Sequence, residues 1–260
     1  MGILEVVKKG FSLSGKLMKV VLIFFVLNAV MGLISLPLAA PENVGQPGIA
    51  TISIAISVVF FAIFIFLQGG ALGLAKDVHK TGDANIGNFS AYGKKFYTRI
   101  LGLLLLYIAI AVGIVLVLAL LGSGILAIGD STFTRTLIGV ISALVAFSAI
   151  TLLLFPIYSV VADDIGVMAA LKKGIKIGRE NFTRVLGLFL TLVIVSVVIS
   201  LIVGFLIGIV TVPLPSGITQ IIITLINSAV QSYIPIVMML ALMGFYLGLG
   251  NTSGSDSTPV

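Results

Sequence analysis

The chain has 260 residues, 59% hydrophobic and 9% charged, with 15 Lys and Arg against 9 Asp and Glu. Soluble domains carry about 25% charged residues, so this chain could not cover a water-facing surface, and its net charge of +6 points to a membrane face, with no nucleic acid as partner. The lack of cysteine excludes disulfides, thiolate metal sites and cysteine nucleophiles.

In chain order, the first element is an amphipathic segment. It has Ile3, Val6, Val7 and Phe11 on one helical face and Glu5, Lys8, Lys9, Ser12 and Lys16 on the other. Apolar runs at 20–40 and 50–75 follow, each near the roughly 20 residues that cross the hydrocarbon core, with the turn-like APENVGQPG at 40–48 between them. A second, rougher amphipathic segment carries Phe89, Tyr92 and Phe96, and Gly82, Gly87 and Gly93 weaken any helix there. Lys94, Lys95 and Arg99 lead from it into a run at 100–127, and GDSTFTR at 129–135 precedes a fourth at 136–162. The third amphipathic segment sets Met168, Leu171 and Ile175 against Lys172, Lys176, Arg179 and Glu180, with Lys173 and Arg184 flanking. No charge occurs from Val185 to Ser255, so Pro213, Pro215 and Gly217 must divide that stretch into runs at 185–211 and 218–249. Pro156 and Pro235 predict kinks in the fourth and sixth runs, and the polar residues 251–260 predict a disordered cytoplasmic tail.

The predicted fold is an all-α integral membrane protein of six transmembrane helices. They form one domain, 1–250, as three repeats of an interfacial amphipathic helix (an elbow) and a two-span hairpin, about 1–76, 77–162 and 163–250. The repeat is written in KKFYTRILGLL at 94–104 and RENFTRVLGLF at 179–189, and more weakly in KKGFSLSGKLMKVV at 8–21. Every Lys and Arg except Arg135 falls on one side of these spans. The positive-inside rule then puts both termini in the cytoplasm, in a multi-pass plasma-membrane protein.

The segment FPIYSVVADDIGVMAALKKGIKIGRENFTRVLGLF at 155–189 resembles the multi-pass family typified by the membrane domain of glycerophosphoryl diester phosphodiesterases and its uncharacterised bacterial and archaeal relatives. The resemblance implies the multi-pass architecture, with a span ending in Pro-x-Tyr, an acidic step, and an Ala-Leu-Lys elbow before the next span. The phosphodiesterase chemistry of fused members needs histidines and clustered carboxylates, and this chain has one histidine, His79.

That single histidine also removes Ser-His and multi-histidine metal arrangements, so the chain reads as non-enzymatic, with no cofactor. Two groups of residues stand out. Lys8, Lys9, Lys16, Lys94, Lys95, Arg99, Lys172, Lys173, Lys176, Arg179 and Arg184 are read as lipid-facing basic elbows, suited to anionic headgroups. Asp163 and Asp164 are read as the cap of the third elbow helix, with a cation or proton site as the rival reading. The buried amides Asn28, Gln68, Asn227 and Gln231 are read as interhelical glue. The function expected is lipid or protein contact at the basic face, with a membrane-protein partner or a second copy. The alternative is transport of an uncharged or amphipathic solute.

Overall fold

The computed structural model describes residues 2–43 and 45–252. Among these, six helical stretches are long and apolar enough to cross a membrane, and the protein is an all-α, multi-span membrane protein. The expected tail falls mostly outside the described residues; its first two positions, 251 and 252, close the last helix.

Helix α1 (Ile3–Ser14) continues through a short 3-10 segment at Gly15–Leu17 into α2 (Met18–Leu38). Next come α3 (Pro47–Thr81) and α4 (Phe89–Ile128). Pro47 starts α3, where a missing N–H costs nothing, and Gly82 ends it at φ 81°, a left-handed conformation that favours glycine. α4 has 40 residues, about 60 Å at 1.5 Å per residue and roughly twice the hydrocarbon core. The expected second elbow is therefore not a separate helix: one continuous helix runs from Phe89 through the third span, and Gly93 does not interrupt it.

α5 (Thr132–Leu153) begins at Ser131, whose hydroxyl accepts the Thr134 N–H at 3.1 Å. It stops before Pro156, which opens the short α6 (Pro156–Ala162). The Tyr107 hydroxyl bridges that break by donating to the Leu153 carbonyl at 2.8 Å. The expected kink at Pro156 is thus a full interruption. Pro235 lies inside α9 (Ser216–Thr252), which continues through it. Between them lie α7 (Val167–Glu180) and α8 (Phe182–Thr211).

The helices group into two compact units, Met1–Tyr97 with Gly187–Val260, and Thr98–Leu186. In the first, α9 is the central element, and α1, α2 and α3 pack along it. Its core includes Leu17, Phe24, Leu72, Leu74, Ile236 and Leu240, all nearly sealed from solvent. In the second, α7 packs on α5 and α6. Large side chains such as Leu105, Val115, Leu120, Leu201 and Phe205 point outward, as suits spans whose solvent is hydrocarbon.

Candidate functional site

Each of the three expected elbow segments packs closely on a span, with a small residue on one side of the contact. On α1, Val6 and Val7 are 2% and 6% exposed, and a Cβ on Gly10 would stand 2.8 Å from the Val237 carbonyl of α9. The apolar face expected to lie in the interface is therefore largely spent on α9. In the second elbow, Phe89 covers Gly70 and Tyr92 covers Gly73, while a Cβ on Gly93 would come within 2.8 Å of the Phe66 ring. On α7, Ala170, Gly174 and Gly178 form the buried face. A Cβ on Gly174 would collide with the Pro156 nitrogen, and one on Gly178 would stand 3.3 Å from the Leu152 Cα.

Gly93 and Gly178 are 85 residues apart, as are their neighbours Phe66 and Thr151. At the next contact the sizes are exchanged. Phe89 on the elbow covers Gly70 on the span, whereas 85 residues further Gly174 on the elbow faces Pro156 on the span, one position past the counterpart of Gly70.

With the small residues facing inward, Met168 stands 61% exposed, and Leu171 and Ile175 are half-buried beside it. Together with Lys172, Lys176, Arg179 and Glu180, the last two residues line a shallow groove of about 700 Å³ on α7. An exposed apolar strip beside a cationic one suits a helix lying at the headgroup boundary.

Not all the basic residues singled out in the sequence are equally available. The Lys16 ammonium donates to the Gly82 carbonyl, and Lys95 sits over the Phe96 ring at 5.3 Å. Lys173 pairs with Asp163 at 2.9 Å, Lys176 with Glu180 at 3.8 Å, and Arg99 with Asp164 at 2.6 Å. Among the described residues, Lys8, Lys9, Lys94, Lys172, Arg179 and Arg184 form no ion pair, and all six are exposed. Arg135, the one cation expected on the other side, is held by both oxygens of Asp130 at 2.7 and 2.6 Å. Its guanidinium keeps the Asp130 carboxyl below the usual carboxylate range.

The aspartates take a different place from the one expected. The N-cap residue of α7 is Gly166, which makes no side-chain cap. Asp163 instead ends α6, its N–H donating to the Ser159 carbonyl at 3.1 Å, and its carboxylate holds Lys173. Asp164 occupies the left-handed region at φ 57°, which Asp and Asn tolerate far better than β-branched residues, and its carboxylate holds Arg99. Both carboxylates thus face a cationic side chain of the protein. Asp164→Asn keeps the turn and loses an ion pair 34% and 42% exposed at its two ends, so it should lower stability by less than about 1 kcal/mol. Asp164→Val forces a β-branched side chain into that conformation and should cost roughly 1–3 kcal/mol. Thermal unfolding in detergent separates the two, and equal losses would mean that charge, not backbone shape, sets the requirement.

Polar groups within the first unit tie helices together. Asn28 Nδ2 donates to Ser232 Oγ at 2.9 Å, Ser232 Oγ donates to the Ser228 carbonyl at 2.6 Å, and Ser14 meets the Tyr233 hydroxyl at 3.0 Å. His79 Nε2 donates to the Leu240 carbonyl at 2.7 Å, and Gly244 leaves room for its ring. Asn28 is glue, as read from the sequence; Asn227 and Gln231 are exposed on α9. No group of three His, Asp or Glu side chains placed to hold a metal occurs among the described residues.

A family model described as a domain of unknown function (DUF7847) matches residues 3–249. No curated protein and no solved structure matches the chain.

Proposed function

The chain belongs to the DUF7847 family, and for this member we propose a non-enzymatic role in which three basic elbows hold anionic lipid headgroups at the cytoplasmic face of the plasma membrane. The observation that carries it is the outward display of Lys8, Lys9, Lys94, Lys172, Arg179 and Arg184, which have no ion-pair partner among the described residues. Each elbow buries small or apolar residues against a span, so its charges remain for the headgroups. A cation near an anionic surface gains on the order of 1 kcal/mol, and the Arg guanidinium adds two-pronged hydrogen bonding to phosphate. We also propose kinship with the membrane domain of glycerophosphoryl diester phosphodiesterases, supported by the segment at 155–189.

The orientation belongs to the same proposal. The chain has no cysteine, so single cysteines report side directly. At Gln46 and Gly129, both exposed, they should react with an impermeant reagent in intact cells, and one at Lys94 only after permeabilisation. The reverse pattern would invert the topology and place the elbows outside. For function, anionic lipid added to the detergent-solubilised protein should raise its unfolding midpoint more than equal zwitterionic lipid does. Equal shifts would leave the elbows without a headgroup role.

The alternative, passage of an uncharged or amphipathic solute, draws on one feature: Asn227 and Gln231 are exposed within the uncharged span α9, where unsatisfied amides are costly. Solute flux in liposomes that disappears on Asn227→Leu with Gln231→Leu would favour it.

A further inference from the structure

We propose that the cleft between α4 and the α5–α6 break binds one chain of a membrane glycerolipid, with the Tyr158 hydroxyl donating to an oxygen of the lipid's glycerol backbone. The cleft lies wholly within the unit Thr98–Leu186. Its volume is about 510 Å³, within the roughly 300–1,000 Å³ of small-molecule sites. α4 supplies Tyr107, Ile110, Ile114 and Val115 to one wall, and Ala146 and Ala149 leave the opposite wall open. From Tyr107 to Val115 the wall runs about 12 Å along the helix, and it is apolar apart from two tyrosines.

The two hydroxyls differ in a way that points to a ligand. Tyr107 is satisfied by the Leu153 carbonyl. Tyr158 is 7% exposed, and its hydroxyl has no hydrogen-bond partner among the described residues. No side-chain oxygen among them is both sealed and unpartnered, so the Tyr158 oxygen keeps access to open space, and the residue lines the cleft. In hydrocarbon no water supplies the missing acceptor, whereas a lipid oxygen does.

Depth agrees with that occupant. Tyr158 lies four residues before the end of α6, about 6 Å inside it, where the polar boundary of the bilayer gives way to hydrocarbon. Glycerol oxygens sit at that boundary, and the chain below them would occupy the apolar wall. This contact does not involve the elbow charges and holds for neutral and anionic headgroups alike.

The test uses the full-length protein in detergent with defined lipids, counting retained lipid by native mass spectrometry. Tyr158→Phe removes the donor and keeps the ring. It should weaken retention of phosphatidylcholine about five-fold, the loss of one ordinary hydrogen bond, with the unfolding midpoint unchanged. Ala146→Phe fills the cleft and should abolish the tightly held lipid; if that variant is destabilised, the Tyr158 comparison decides alone. Diester and diether lipids distinguish the acceptor: a loss confined to the diester names the carbonyl, and a loss with both names the bridging oxygen. A branched hydrocarbon without oxygen should bind parent and Tyr158→Phe equally. Undiminished retention of both lipids by Tyr158→Phe overturns the site. The elbow proposal fails separately, by loss of the difference between anionic and neutral lipid in the parent protein.

Discussion

Gly174→Val should lower the unfolding midpoint of the detergent-solubilised protein by roughly 10 °C. The glycine faces the backbone nitrogen and ring of Pro156 so closely that a Cβ would overlap them. Neither neighbour can turn aside: the nitrogen is main chain, and the ring is fixed to it. Relief requires α7 to move off α5 and α6, opening a contact that includes buried Ala170 and Gly178. Overpacking of a tight site costs about 3 kcal/mol, and each kcal/mol is worth about 2–4 °C in a chain of this size. Gly204→Val is the control, because a Cβ there meets nothing within 4 Å; its midpoint should stay near the parent's. Equal shifts for the two would show that the elbow does not depend on close approach.

Replacing Lys172, Arg179 and Arg184 together with Gln should reduce the preference for anionic over zwitterionic lipid on the order of 100-fold. Each of these exposed groups lacks an ion-pair partner among the described residues, and about 1 kcal/mol apiece gives close to 3 kcal/mol, or two decades. The same substitutions at Lys173, Lys176 and Arg99 should do less, because those side chains are already paired with Asp163, Glu180 and Asp164. Equilibrium binding of spin-labelled lipids to both triple variants checks the ordering. An equal loss in the two sets would mean that total charge, not the unpaired groups, attracts the lipid.

The spans were legible in the sequence because each is a continuous apolar run, and hydrocarbon imposes length and composition on whatever crosses it. α8 and α9 were separable because Pro213, Pro215 and Gly217 interrupt a stretch without charge. The faces of the elbows were not legible. In the sequence Gly93 reads as helix-weakening and Gly10, Gly174 and Gly178 carry no signal, yet all four lie where these segments approach a span closely. The periodicity that places Met168, Leu171 and Ile175 on an apolar face is real, but α7 buries the neighbouring small-residue face instead. For α1 the apolar and docking faces coincide, so Val6 and Val7 are buried against protein.

Asp163 and Asp164 precede a helix and read as caps, because capping is local and visible in sequence. Their actual partners, Lys173 and Arg99, depend on how α6 turns into α7 and on a contact spanning 65 residues. The Tyr158 hydroxyl gave no sequence signal, since its lack of a partner is a property of the cleft and of the break before Pro156. The equal spacing of the pairs Gly93–Phe66 and Gly178–Thr151 supports the reading of the second and third elbows as copies of one unit.

If the basic segments hold anionic headgroups, the lipid that stays with the purified protein is enriched in anionic species. The protein would be reconstituted in nanodiscs containing equal amounts of anionic and zwitterionic lipid with identical chains, then extracted in mild detergent, and its retained lipids counted by mass spectrometry at low and high salt. Clear enrichment of the anionic lipid is expected at about 0.05 M salt, with loss of most of that enrichment near 0.5 M, where the screening length shortens to a few ångströms. Retained lipid that mirrors the equal bulk mixture at both salt concentrations would contradict a headgroup role for these segments.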